Sequence, residues 1–133
     1  MIAVDTNVLV RVLIDDPKEK RQVASARARV KQAGQVYIPQ IVQVETVWVL
    51  ETAYGLDKAT VVGVLDQLLG NEAYTLQGKS SFETALAEFK GGKADFSDYL
   101  ILAECKAAGY PLVTFDGELR KSPGATSVSE ASD

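Results

Sequence analysis

Short apolar runs recur along this chain, and helical segments separate each run from the next. The runs cover residues 2–4, 36–38, 73–77 and 111–115, with residues 125–128 as a candidate fifth. Strands that alternate with helices in this order pair in parallel, with helices on both faces of the sheet. The sequence therefore predicts an α/β fold, a three-layer α/β/α sandwich with a mostly parallel central sheet of four to five strands.

Helical spacing of apolar residues predicts the helices between these runs. They cover residues 7–14, 17–34, 41–54, 58–70, 80–91 and 95–108. Asp16 and Asp57 are predicted to cap two of them, and Ser80 with Glu83 has the spacing of a capping box.

The composition indicates one globular domain. With 133 residues and 47% apolar content, the chain is large enough to bury its own core. We expect a single domain over residues 1–128 and a flexible tail at 129–133. No apolar run reaches membrane-spanning length, and residues 1–4 lack the features of a signal peptide, so a cytoplasmic protein with no membrane association is expected.

Histidine is absent from the chain, and Cys105 is its single cysteine. This excludes disulfides, thiolate metal sites and histidine-based acid–base chemistry. Carboxylates are therefore the main groups able to organise chemistry near neutral pH.

Asp5 and Asp116 each follow a predicted strand directly. In parallel sheets, ligands bind beyond the carboxyl ends of the strands, where the connections diverge. Asp5 could instead cap the following helix, and Asp116 with the glycine after it is also an ordinary turn signal.

Glu45 lies in the helix after the second strand, and its neighbours at helical spacing are apolar. An ionised acid on such a face is costly unless a partner compensates its charge. Glu51 has similar neighbours, so spacing alone does not choose between the two. Glu45 is preferred because it lies in the first turns after the strand, near the edge where Asp5 is expected.

Asp95 and Asp98 stand at the start of the last long helix. As N-cap and third helical residue they could form a variant capping box, favoured by the helix dipole. Asp98 directly precedes a run with the composition of a buried helix face, which favours a functional role for it.

The predicted fold brings the end of the first strand, the starts of two helices and the end of the fourth strand to one rim. Carboxylates about 5 Å apart repel by roughly 3 kcal/mol per pair at an effective dielectric constant of about 20. Asp5, Glu45, Asp98 and Asp116 gathered there would take up protons or require cations. Oxygen ligands without histidine indicate Mg²⁺ or Mn²⁺.

With these acids placed, the chain resembles the PIN-domain ribonucleases, and among them the VapC-type toxins of toxin–antitoxin pairs. The similar segments are VDTNVLV, VETVWVL around Glu45, DFSDYLILAECKAAG around Asp98 and LVTFDGEL around Asp116. The resemblance implies an Mg²⁺- or Mn²⁺-dependent endoribonuclease that is commonly a homodimer. It also implies a cognate VapB-like antitoxin whose C-terminal segment covers the acidic cleft.

The same resemblance implies roles for individual residues. The acidic quartet is matched by Asp5, Glu45, Asp98 and Asp116. Of these, Asp5, Asp98 and Asp116 would hold metal directly, and Glu45 would bind a second ion or orient the attacking water. Asp95 would be an extra ligand or only a cap. The supporting polar residues are Thr6, Asn7 and Thr114.

Basic residues are concentrated early in the chain, where seven of the fourteen Lys and Arg residues lie between Arg11 and Lys31. The net charge of −4 argues against a general electrostatic grip on nucleic acid, but a local basic strip beside an acidic site suits a polyanion. Arg11, Lys18, Arg27 and Lys31 are the candidate contacts to the RNA backbone, with a solvated helix face as the alternative.

Two predicted helical segments, residues 41–54 and 61–69, are unusually apolar. They hold more hydrophobic surface than one small sheet could cover. We expect a homodimer interface and an antitoxin groove there.

Two other interpretations use similar sequence features. A haloacid-dehalogenase-like phosphohydrolase also begins with a strand and an acid and uses Mg²⁺, but Asn7 stands where its second acid is required. A non-catalytic PIN-like binding module would keep the fold without cleavage, and the full set of four acids argues against it.

Overall fold

The chain divides into two compact units, Met1–Lys79 and Ser80–Asp133. The structure is a computed structural model that describes residues 1–129. The single domain over residues 1–128 stays a prediction, and of the tail predicted at 129–133, residues 130–133 lie outside the described residues. Among residues 1–129, no helix is both long and apolar enough to cross a membrane.

The first unit contains a three-stranded parallel sheet and four helices. Its elements are β1 (Ile2–Ala3), α1 (Thr6–Leu13), α2 (Lys20–Ala33), β2 (Val36–Ile38), α3 (Gln40–Thr52), α4 (Lys58–Gly70) and β3 (Tyr74–Leu76). The central strand is β2, whose Val36 and Ile38 are fully buried, and each such side chain contributes about 1.5–3 kcal/mol relative to exposure. The helix α1 packs against both α2 and α3.

The second unit contains two helices and a two-stranded parallel sheet. Its elements are α5 (Lys79–Gly91), whose first residue is the last of the first unit, α6 (Phe96–Ala108), β4 (Leu112–Thr114), a 3₁₀ turn at Leu119–Lys121 and β5 (Ala125–Ser127). Phe96 lies edge-to-face with Phe82 and Phe89, at ring-centroid distances of 5.5 and 5.8 Å. Each aromatic pair adds about 0.5–1.5 kcal/mol to the burial of its rings. The three rings hold α5 against the start of α6, where Asp98 lies.

The predicted α/β fold with parallel strands is confirmed. All strand pairs found in residues 1–129 are parallel, but the strands form one sheet of three and one of two, where a single sheet of four to five was predicted. The alternation of strands and helices predicts the parallel direction, because each helical crossover returns the chain to the same end of the sheet. It does not predict which strand edges pair, and strands of two or three residues have few ladder hydrogen bonds with which to specify this.

The predicted start of the second helix at Asp16 is wrong, because α2 begins at Lys20. The Asp16 carboxylate instead accepts hydrogen bonds from Lys18 N, at 2.9 Å, and from the Tyr54 hydroxyl, at 2.8 Å. These bonds fix a turn before the helix, so the carboxylate is not available as an N-cap.

The capping box predicted at Ser80 is also wrong, since α5 begins at Lys79 and Ser80 lies inside it. Gly78, with φ of 63°, adopts the left-handed conformation directly before the helix. The cap predicted at Asp57 is confirmed, because its Oδ1 accepts from Thr60 N at 2.8 Å.

Candidate active site

Asp5 stands between the buried Val4 and the first residue of α1, on extended backbone. Its Oδ1 accepts a hydrogen bond from Val8 N at 3.0 Å, so the capping interpretation of this acid is confirmed. The cap engages one oxygen only, and within residues 1–129 the second oxygen, Oδ2, has no hydrogen bond. Asp5 can therefore cap the helix and still present an oxygen to a ligand.

A hydrogen bond connects the start of α1 to the acid on α3. Thr6 Oγ1 donates to Glu45 Oε1 at 2.8 Å. Glu51, the rival acid, lies further along α3 and is exposed. The bond therefore singles out Glu45 as the acid of α3 that contacts Thr6, the residue after Asp5.

The face of α3 that carries Glu45 is exposed, contrary to expectation. Ile41 and Trp48, one turn before and after Glu45, are 70% and 64% exposed. The buried stripe of α3 passes instead through residues that include Gln43 and Thr46, which are fully buried polar side chains. Apolar spacing alone therefore misplaced the buried face, and Glu45 lies on an exposed face.

Asp98 lies in the first turn of α6, where its Oδ2 accepts a hydrogen bond from Asp95 N at 3.2 Å. The two acids thus form the predicted capping box. The pKa of Asp98 is raised, mainly by burial and further by the charges of Asp95 and Asp116, while the hydrogen bond from Asp95 N opposes this. Asp98 and Asp116 are therefore close enough for their charges to interact.

Asp116 follows β4 and caps the 3₁₀ turn. Its Oδ1 accepts hydrogen bonds from Glu118 N, at 2.8 Å, and Leu119 N, at 2.9 Å. These two bonds, that from Leu119 first, lower the pKa of Asp116. The Asp116 N–H in turn donates to Thr114 Oγ1 at 3.0 Å, so the predicted supporting residue Thr114 contacts the backbone of the acid.

The four acids share one pattern of hydrogen bonding. Each has one carboxylate oxygen held by a neutral donor, while the other oxygen has no hydrogen bond within residues 1–129. None of the four forms an ion pair with Lys or Arg in that part of the chain. Other acids do form such pairs, namely Asp15, Asp16, Glu88 and Glu118.

This donor chemistry fits a hard divalent cation, because such ions prefer oxygen ligands and compensate negative charge. The residues present are therefore compatible with Mg²⁺ or Mn²⁺. Across the described range 1–129, no three acidic, histidine or cysteine side chains are grouped as a set that could hold a metal ion. The joint action of Asp5, Glu45, Asp98 and Asp116 at one metal site, with or without Asp95, stays a prediction.

The predicted RNA contacts differ in how they are engaged. Arg27 Nη1 forms a 2.8 Å ion pair with Asp15, and its Nε donates to Val12 O at 3.0 Å. This side chain serves to join α2 to the end of α1. Lys18 and Lys31 are exposed.

Arg11 belongs to a network that the sequence did not reveal. Its Nε donates to Gln22 at 2.8 Å, and its Nη1 donates to the Tyr54 hydroxyl at 2.7 Å. The Tyr54 hydroxyl donates to Asp16, which lowers the pKa of Asp16. No spacing rule connects these residues, because they come from α1, α2, the turn after α3 and the turn before α2.

Arg29 belongs to the basic strip between Arg11 and Lys31, but it was not one of the four residues named as RNA contacts. It lines a cleft together with Asp5 and Asn7. A helical signal could have identified it, since Gln22, Ser25 and Arg29 lie three and four residues apart and so share a stripe of α2.

Comparison with known proteins gives matches along nearly the whole chain. The model of the PIN domain family matches residues 2–124. A relative named VapC ribonuclease, from Aquifex aeolicus (strain VF5), is 23% identical over 130 residues, which cover 97% of this chain and 96% of the relative. The family match includes every acid described above.

Proposed function

This chain belongs to the PIN domain family, and we propose that it is an Mg²⁺- or Mn²⁺-dependent endoribonuclease that hydrolyses phosphodiester bonds in RNA. We further propose that it is the toxin of a type II toxin–antitoxin pair. The similarity to a protein named VapC ribonuclease over 97% of the chain supports both proposals.

One observation supports the metal-dependent mechanism above all others: each of the four acids keeps one oxygen available while a neutral donor anchors the other. Anchoring through backbone N–H groups orients Asp5, Asp98 and Asp116 before any ligand binds. Pre-oriented ligands bind a cation with less loss of conformational freedom. Because no Lys or Arg within residues 1–129 pairs with these acids, a cation is the natural partner for their charge.

Each residue has a proposed role. Asp5, Asp98 and Asp116 are direct ligands, and Glu45 binds a second ion or orients the attacking water. Asp95 acts as a further ligand or only as a cap. A divalent ion bound by these groups supplies a water of lowered pKa and compensates the charge that develops on the phosphate oxygens.

The supporting residues act through the acids. Thr6 keeps Glu45 oriented through its hydroxyl, and Thr114 holds the backbone N–H of Asp116. Asn7 is proposed as a polar neighbour of Asp5.

The raised pKa of Asp98 indicates that a bound cation would act against a repulsion among the acids. Burial and the neighbouring acids Asp95 and Asp116 disfavour its ionised form. A cation bound nearby has the opposite effect, because an adjacent positive charge stabilises a carboxylate. Binding would therefore relieve a repulsion that exists in the free protein.

Exposed apolar side chains on α3 support a protein partner. Ile41 and Trp48 are largely exposed, whereas Val61, Leu65 and Leu68 on α4 are fully buried. The expectation of a docking surface on α4 is therefore wrong for its main apolar stripe, and α3 is the better candidate. We propose a homodimer, with a VapB-like antitoxin as a second partner, acting in the cytoplasm.

Incubation of the protein with single-stranded RNA of mixed sequence tests this function. Cleavage is expected with Mg²⁺ or Mn²⁺ and should stop when a chelator is added. The same samples are assayed for hydrolysis of p-nitrophenyl phosphate, a phosphomonoester. Hydrolysis of the monoester without RNA cleavage would support the haloacid-dehalogenase-like alternative, and RNA binding without cleavage would support a non-catalytic module.

A further inference from the structure

A cleft of about 390 Å³ lies between α1 and α2, with Asp5 among its lining residues. Its polar and charged lining consists of Asp5, Asn7 and Arg11 on one side and Gln22, Ser25 and Arg29 on the other. Since Asp5 is a proposed metal ligand, a group bound in the cleft would lie beside the reacting phosphodiester.

Arg11 is held in place within this cleft. Gln22 and Tyr54 accept hydrogen bonds from its Nε and Nη1, and Asp16 lies 3.7 Å from Nη1. Its Nη2 has no hydrogen bond within residues 1–129, so both N–H groups of this nitrogen remain for a ligand. The carboxylate of Asp16 offsets part of the positive charge of Arg11. Arg11 would therefore orient a bound anion more than attract it.

Arg29 supplies the positive charge that would attract an anionic ligand. It is exposed, and in the described part of the chain it has neither an ion pair nor a hydrogen bond. Gln22 and Ser25 lie on the same stripe of α2 and provide an amide and a hydroxyl beside it. The combination offers a planar guanidinium with neutral donors, which matches the oxygens of a phosphate.

We propose that this cleft binds a phosphate of the RNA backbone next to the bond that is cut, with Arg29 as the main contact. The inference rests on the proposed endoribonuclease function and adds a subsite to it. The position of Asp5 in the same cleft favours the substrate over an acidic peptide, because RNA must pass the acid to be cleaved. Contacts to phosphates position an RNA without selecting its sequence.

The test is the steady-state cleavage of a fluorescent single-stranded RNA of mixed sequence by Arg29→Gln, at several salt concentrations. Loss of one phosphate contact to a single strand makes the slope of log affinity against log salt shallower by about 0.7, which is about a fivefold weakening at about 0.1 M salt. KM is therefore expected to rise about fivefold while kcat stays unchanged. Arg29→Lys should restore the salt slope, because it restores the charge.

Arg21→Gln is the matched control, since it removes an exposed arginine of the same helix that does not line the cleft. It should leave KM and the salt slope as in the wild type. Equal effects of the two substitutions, or no effect of Arg29→Gln on an active enzyme, would overturn the subsite while leaving the endoribonuclease function intact. A wild-type protein that cleaves no RNA would instead reject the function on which the subsite depends.

Discussion

Thr6 donates a hydrogen bond of 2.8 Å to Glu45, although the two residues are 39 positions apart along the chain. Thr6 is the first residue of α1, directly after the capping acid Asp5, and Glu45 lies in the second turn of α3. The bond therefore links the orientation of the Glu45 carboxylate to the start of α1, which Asp5 caps. It is a tertiary contact, which explains why apolar spacing could not separate Glu45 from Glu51.

Replacing Thr6 tests this coupling. Thr6→Val keeps the shape of the side chain but removes the donor, so Glu45 should lose its fixed orientation. Loss of such an outer contact typically lowers activity by about 10–100-fold. The rate of Mg²⁺-dependent RNA cleavage checks this, and Thr6→Ser should remain close to the wild type because it keeps the hydroxyl. A fully active Thr6→Val protein would show that the bond has no role in the reaction.

The contact of Tyr54 with Asp16 and Arg11 should stabilise the first unit. Tyr54→Phe removes the hydroxyl that bonds to both side chains and should lower the free energy of unfolding by about 1 kcal/mol. Urea unfolding at pH 7 measures the change. Tyr110→Phe is a suitable control, because Tyr110 is 70% exposed, and it should leave the unfolding free energy unchanged.

The same network predicts a dependence of stability on pH. The hydroxyl of Tyr54 and the N–H of Lys18 lower the pKa of Asp16 below its ordinary value of 3.8. A lowered pKa in the folded state gives stability that is present above the unfolded pKa and is lost as the pH falls through the folded pKa. The stability difference between wild type and Asp16→Asn should therefore be greatest near neutral pH and should decrease below pH 3.8. A difference that stays constant down to the acid transition would contradict this.

The raised pKa of Asp98 predicts a pH dependence of stability that is opposite in sign to that of Asp16. Burial first, and then the charges of Asp95 and Asp116, favour the protonated form in the folded state. Stability from this group is therefore present at low pH and is lost as the pH rises through the folded pKa. Without metal, Asp98→Asn should be slightly more stable than the wild type at neutral pH, by a small amount because solvent screens a partly exposed group. Unfolding in a chelator at several pH values measures this, and a less stable variant at neutral pH would contradict it.

A bound divalent metal should offset the repulsion of Asp98 by Asp95 and Asp116, and so stabilise the wild type. Free ligand at about 100 times its dissociation constant adds about 2.7 kcal/mol to the free energy of unfolding. Thermal unfolding with increasing Mg²⁺ or Mn²⁺ should show a rising melting temperature, and Asp98→Asn should reduce the rise. Glu83→Gln, which alters an exposed acid of α5, should respond like the wild type. A melting temperature that neither ion changes would count against a metal site.

Much of the fold could be predicted because its signals are local. The cap at Asp57 and the capping box of Asp95 with Asp98 depend on residues three apart, which the sequence displays directly. Asp16 shows where this fails, because its carboxylate accepts a hydrogen bond from Tyr54, which lies just after α3. A distant partner can thus override a local capping signal, and nothing in the neighbouring residues reveals it.

In the candidate site, too, some features follow from local sequence and others from how the helices pack. The sequence indicated which acids to consider, but the exposed face around Glu45 and the ion pair of Arg27 with Asp15 depend on how the helices pack. Apolar residues at helical spacing mark a stripe, and packing decides which stripe is buried. Ile41 and Trp48 remain exposed for this reason, although they are as apolar as the buried residues of α3.

Cleavage of RNA by Asp5→Asn in the presence of Mg²⁺ tests the proposed function most directly. Asparagine caps helices as well as aspartate does, so α1 should remain intact while the charged metal ligand is lost. Glu72→Gln, a change at an exposed acid of the same unit, serves as the control. We predict that Asp5→Asn folds and shows no detectable cleavage while Glu72→Gln cleaves at the wild-type rate. Undiminished cleavage by Asp5→Asn would contradict a mechanism that depends on this acid.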